Sequence, residues 1–195
     1  IESFLAHRGL KPSEKKTVIT NVDAGFDFLG QHVRKYKKRL LIKPSQKSIH
    51  RLLNSVKTMF KKNRASTQSE VITMLNPQIR GWANYHRTSC ARKVFEKVDH
   101  EIFGALWRWA KRRHPNKGLQ WIKEKYFKVR GSRQWCFGTM LKKKNKREWL
   151  ELFLASNVSI RRHIKIRCQA NPYDRDWYPY FKERLMGPRT LPARM

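Results

Sequence analysis

The chain has 195 residues, 45 Lys and Arg against 14 Asp and Glu, and a formal net charge of +31. A positive excess this large, spread from end to end, disfavours a compact state unless a polyanion is present. No apolar run approaches the roughly 20 residues that cross a bilayer, so nucleic acid rather than membrane is the expected partner. Seven Trp, ten Phe and six Tyr exclude a disordered basic tail.

Taken in chain order, "IESFLAHRGL" reads as the last turns of a helix closed by Gly9. It opens mid-pattern on Ile1, as part of a longer protein would. "TVITNV" (17–22) is β-branched and predicts a strand. After the turn signal Asp23-Ala24-Gly25, "FDFLGQHVRKY" (26–36) predicts a second strand pairing back on the first, with its aromatics inside, and "LLIK" (40–43) a third. Gly30 would let another backbone approach.

From Pro44 the period changes. Ile49, Leu52, Leu53, Val56 and Phe60 form one helical stripe, with Lys47, His50, Arg51, Lys57, Lys61 and Lys62 on the opposite side. "TQSE" (67–70) is a capping box that starts a short helix through Leu75. Asn76-Pro77 is expected to break that helix and begin another, with Pro77 near its first position. On that next helix Ile79, Trp82 and His86 share a core face, and Arg80, Asn84 and Arg87 share the exposed one. A longer helix is expected over 92–113, buried along Phe95, Val98, Ile102, Leu106 and Trp109, and a short one over 119–127. Beyond Arg130 the pattern weakens. "QWCFGTM" (134–140) and "SIRRHIKIR" (159–167) are candidate strands, "KREWLELFLAS" (146–156) is helical or extended, and a short helix ends "ANPYDRDWYPYFKERL" (170–185).

Catalytic signals are sparse. The five Asp are Asp23, Asp27, Asp99, Asp174 and Asp176; a two-metal site needs converging carboxylates, and Asp174 and Asp176, two apart in a proline-bearing segment, could converge only in a loop. Asp174 reads as a turn cap and Asp176 as a partner of arginine. Cys90, Cys136 and Cys168 form no C-x-x-C pair, which argues against a cysteine zinc site and a disulfide framework. That usage suits a reducing interior, bacterial cytoplasm or an organelle matrix. No catalytic or metal-ligating residue is assigned. The anion-binding signals are stronger: Lys35, Lys37, Lys38, Arg39, Lys43, Lys47 and Arg51 make one cationic run, and Arg80, Asn84 and Arg87 make a second patch.

"FLAHRGLKPSEKKTVITNVDAGFDFLGQHV", then "LNPQIRGWANYHR", then "ANPYDRDWYPYF" together resemble, in order and over nearly the whole chain, the C-terminal half of a bacterial group II intron reverse transcriptase/maturase. The resemblance implies a mainly α fold. A helical thumb bundle is preceded by a small antiparallel β element from the end of the palm and followed by a mixed, irregular C-terminal region. The implied boundaries are 1–43, 44–128 and 129–195, the last a DNA-binding-like region. It also implies that Phe28, Leu29 and Gly30 form a primer-grip-like turn and that Lys16 belongs to a palm-edge strand. Implied partners are group II intron RNA and template-primer or target DNA, with no membrane. The family's Tyr-x-Asp-Asp loop has no counterpart in these residues, which contain no Asp-Asp pair. Reverse transcription is therefore implied for the parent protein rather than for this chain alone, no cofactor is expected here, and Mg2+ would belong to the catalytic palm. Two other readings stay open: part of a split or truncated polymerase that needs a separate palm, and a non-specific basic RNA-binding protein.

Overall fold

The apolar stripes define where the helices meet. A computed structural model of the chain describes residues 2–13, 17–143, 146–161 and 166–186. In α2 (Gln46–Lys62) the buried residues are Ile49, Leu52, Val56, Met59 and Phe60, with Ser45 as N-cap. In α3 (Gln68–His86) they are Val71, Ile72, Leu75, Ile79, Ala83 and His86. In α4 (Arg92–Arg113) Phe95, Val98, Ile102, Leu106, Trp109 and Ala110 are buried. These faces, with Ile122 and Tyr126 of α5 (Leu119–Tyr126), close one continuous core. Residues of a flanking β-sheet complete it, so the mainly helical bundle with small β elements is the observed fold.

Two three-stranded antiparallel sheets lie among the described residues. The first, β1 (Phe26–Phe28), β2 (Gln31–Tyr36) and β3 (Arg39–Pro44), precedes the bundle. The second, β4 (Phe127–Arg130), β5 (Arg133–Lys143) and β6 (Lys146–Glu151), follows α5. Phe127 and Phe137, with Leu152 just after β6, carry it into the core. Polar clamps from α3 and α4 hold it there. The Gln68 amide donates to the Tyr126 and Gly138 carbonyls (2.8 and 3.1 Å). Asn76 donates to the Glu151 carbonyl and accepts from the Phe153 amide (3.0 and 2.8 Å). Asp99 accepts from the Ala155 and Ser156 amides (2.8 and 2.9 Å), fixing a 3-10 turn at Ala155–Asn157. At the chain's start α1 (Glu2–Ala6) ends at Gly9, whose φ is 68°. The Gly9 amide bonds Ala6 and the Leu10 amide bonds Leu5, a glycine-closed helix end as expected. At its far end lies α6 (Tyr178–Met186).

Several expectations are corrected. Residues 17–22 form no strand: Val18 and Ile19 are 76% and 101% exposed, and no described strand faces them. Residues 26–36 are not one strand, because Leu29 and Gly30 both take positive φ (46° and 74°) and turn the chain into a hairpin. Nor are its aromatics inside: Phe26 and Phe28 are 38% and 62% exposed. Asn76-Pro77 does not break the helix, since α3 runs through Pro77. An interior proline costs about 3 kcal/mol. Burial of Val71, Ile72, Leu75 and Ile79 to 0% exposure outweighs it, at about 1.5–3 kcal/mol for each large side chain. The capping box forms as read, with the Glu70 carboxylate accepting from the Thr67 amide at 2.8 Å. Within "KREWLELFLAS" the extended alternative holds through Glu151. Of the candidate strand 159–167, residues 162–165 lie outside the described residues and the remainder is not strand. Asp174 caps its turn by accepting from the Asp176 amide, but Asp176 makes no arginine pair among the described residues.

Candidate nucleic-acid interface

The turn between β1 and β2 is built to dock. With Leu29 and Gly30 both left-handed, their carbonyls face the bundle: the Ser45 amide donates to Gly30 (2.9 Å) and the Tyr85 hydroxyl donates to Leu29 (2.5 Å). A third link, the Cys90 amide donating to the Ile42 carbonyl at 2.8 Å, fixes β3 against the end of α3. Between turn and helices lies an open groove of about 540 Å³. Its lining includes Leu29, Gly30, Arg51, Trp82, Tyr85 and His86. The sequence-derived Leu29, Gly30 and Arg51 are thus brought together, while Phe28 is an exposed side chain on the strand beside them.

A buried polar network floors this groove. The Trp82 indole donates to the Ser48 hydroxyl (3.0 Å), which lies 2.9 Å from Nε2 of His86. The Ser48 proton can then go to His86 only if that ring nitrogen is unprotonated. Burial lowers the His86 pKa from 6.5 to about 4, so the ring is neutral and its Nε2 shares one proton with Ser48, the direction following the tautomer. His86 is 0% exposed and Trp82 partly buried, as their shared face with Ile79 implied.

The cations divide into two patches. Lys35 and Arg39 lie near the tip of the β2–β3 hairpin, Lys37 and Lys38 form its turn, and all four are exposed. Lys43 is half-buried, its ammonium 4.7 Å from the Tyr36 ring, which Arg34 also approaches at 5.1 Å. Lys47 and Arg51 are exposed on the first turns of α2. Arg80, Asn84 and Arg87 form the second patch, beside the segment that follows β6. The Arg80 guanidinium sits 4.9 Å from the Phe153 ring, and the Arg161 amide donates to the Arg87 carbonyl at 2.8 Å. Arg80 and Asn84 are exposed, whereas Arg87 is partly buried and so is a weaker contact residue than its wheel position implied. Lys16 lies outside the described residues. Burial, then Lys125, Arg113 and Lys117, lower the pKa of His114 at the end of α4.

Sequence reasoning did not single out Ser48 or Gln78 as groove residues, nor Lys123 and Trp135, and it reached Tyr85 only as part of the motif "IRGWANYHR". For Tyr85 a signal existed: on α3 it follows Gln78 by seven positions and Trp82 by three, which puts all three on one stripe. The turn acceptor it reaches could not be read from that spacing.

The helices beside the groove match a known family. Residues 49–127, from the first turn of α2 to the first residue of β4, match the family described as group II intron, maturase-specific domain. The resemblance to group II intron maturases read from the motifs is therefore borne out over this segment. The chain is also 34% identical over 98 residues to Maturase-like protein 1 of Euglena gracilis; the aligned part covers 48% of this chain and 21% of that protein. The chain thus matches about a fifth of the length of this relative.

Proposed function

We propose that this chain is the RNA-binding part of a group II intron maturase, holding the intron RNA in a splicing-competent fold. The observation that carries the reading is the groove, where a left-handed Leu29–Gly30 turn meets Arg51 and Tyr85 of the matched segment. The mechanism is electrostatic and geometric: exposed cations take phosphates, and a preformed bundle selects RNA by shape. In the longer protein the same elements would act as a thumb that clamps a template-primer duplex, with Phe28, Leu29 and Gly30 supporting the growing strand. Target DNA would lie along the C-terminal region. The working compartment would be bacterial cytoplasm or an organelle matrix.

The test is binding of this chain to a group II intron transcript and to a random RNA of equal length, titrated with salt. Six to ten neutralised phosphates give a log–log salt slope of about −5 to −9. A preference for the intron that persists near about 200 mM salt, and that falls in Arg51→Ala with Arg80→Ala, supports the reading. Equal affinity for the two RNAs at every salt concentration rejects it.

One observation favours a second reading. Val18, Ile19, Phe28 and Leu29 are 76%, 101%, 62% and 70% exposed, apolar side chains that a separate palm could cover to complete a polymerase. Primer extension restored by adding a separately expressed palm would favour it; no extension with any such palm would remove it.

A further inference from the structure

The second sheet contains an aromatic residue in a strained backbone conformation. β4 and β5 pair Lys128 with Cys136 and Arg130 with Arg133, so Gln134 and Trp135 together oppose Val129 in a β-bulge. Trp135 takes φ 62°, a left-handed backbone that a bulky residue rarely adopts. Strain of this kind persists where surrounding structure enforces it, and bulges re-aim side chains. Here the bulge leaves the indole 40% exposed.

The ring does not stand alone. Trp107 and Phe103 of α4 meet it edge-on, with centroids 5.7 and 6.1 Å away and planes at 67° and 78°. The three rings line an open notch of about 320 Å³ by themselves. That is the lower end of the size range of small-molecule sites. The Lys123 ammonium lies 4.5 Å from the Trp135 centroid, and Arg133 is exposed two residues away on β5. An apolar slot walled by flat rings, rimmed by cations on a chain of net charge +31, matches a flat ring carried on an anionic backbone. We propose that Phe103, Trp107 and Trp135 form a stacking site for one unpaired nucleobase, with Lys123 and Arg133 meeting its flanking phosphates.

This deepens the RNA-binding reading by naming a site and the form of RNA it takes, and its test is independent of intron recognition. The probes are a single-stranded 12-mer RNA and an abasic 12-mer of equal charge, each followed by fluorescence anisotropy. Wild-type protein should bind the base-bearing strand roughly tenfold more tightly, the scale of one base stacked on an aromatic ring. Trp135→Gly should erase most of that advantage; because it also removes a ring packed against Phe103, Trp107 and Phe127, its thermal midpoint should fall and binding is compared well below that midpoint. Trp135→Phe should retain most of it. Equal binding of the two strands by wild type, or an advantage that survives Trp135→Gly, overturns the proposal and leaves the notch to some other partner, such as an apolar side chain of a protein. A second measurement does not depend on how the variants fold. Photocrosslinking of 4-thiouridine RNA to the unaltered chain should label the peptides carrying Trp107 and Trp135, and labelling confined to other peptides also overturns it. Loss of intron preference with the base advantage intact would reject the maturase reading and leave this site standing.

Discussion

The two sheets have the same topology, three antiparallel strands in sequence order, yet stand in opposite relation to the core. The second sends Phe127 and Phe137 into it, and Leu152 follows directly after β6, each less than a tenth exposed. The first buries no residue before Pro44 and is held to the helices by hydrogen bonds from Ser45, Tyr85 and Cys90. One sheet is a wall of the fold and the other is an appendage with polar hinges. A turn on such an appendage can move without disturbing the core.

The most direct way to break this comparison is to truncate one phenylalanine on each sheet. Phe137→Ala removes a ring that is 4% exposed and stacks beside Tyr126 (6.2 Å, 9°). It should cost about 3–5 kcal/mol of unfolding free energy in a urea titration. Phe28→Ala should stay within about 0.5 kcal/mol, because its ring is 62% exposed. Comparable losses would mean that the first sheet is also structural. The next effect concerns Gly138. A Cβ there would lie 2.5 Å from Cζ2 of Trp149 and 3.0 Å from the Leu150 carbonyl oxygen, atoms of a rigid ring and of backbone. Gly138→Ala should therefore cost about 3 kcal/mol, the upper end for overpacking, read in the same titration.

The same contrast explains what the sequence could and could not reveal. Ile49, Leu52, Val56 and Phe60 declared α2, and the stripe from Phe95 to Trp109 declared α4, because each helix buries one face and the period records it. The capping box at Thr67 was legible for the same local reason. The continuity of α3 through Pro77 was not, because the burial that offsets the proline comes from elements distant in the chain. β4 was missed because Phe127 is its one buried residue, leaving no alternation to read. In the first sheet the turn chemistry was visible but the burial was misjudged, since "FDF" carries core-type residues on strands that pack against no layer. The groove drew on both limits: Arg51 and Gly30 were readable, and the reach of Tyr85 to Leu29 depended on the docking.

The appendage rests on a network that titrates, and the wall does not share it. His86 has a folded pKa of about 4 against an ordinary 6.5. The unfolded chain therefore binds the extra proton first, so stability from this site is complete above about pH 6.5 and declines as pH falls toward 4. Between pH 7 and pH 5 the loss is about 2 kcal/mol. Other groups also titrate in that range, so the quantity to measure is the stability difference between wild type and His86→Gln, at both pH values. That difference should shrink by about 2 kcal/mol on acidification; a constant difference would mean that His86 is not held neutral.

The smallest effect tests the hinge itself. Tyr85→Phe removes the hydroxyl that donates to the Leu29 carbonyl and leaves the ring in place. One such bond is worth about 1 kcal/mol, or roughly a fivefold change in a local opening equilibrium. The Ser45 amide, which donates to Gly30, reports on opening of the turn, and the Leu152 amide, which donates to Phe137, reports on the second sheet. In hydrogen exchange Ser45 should speed up about fivefold while Leu152 holds its rate, because local openings are confined to cooperative units. Equal acceleration at both amides would place the two sheets in a single cooperative unit, and the first could no longer be regarded as an appendage that moves on its own.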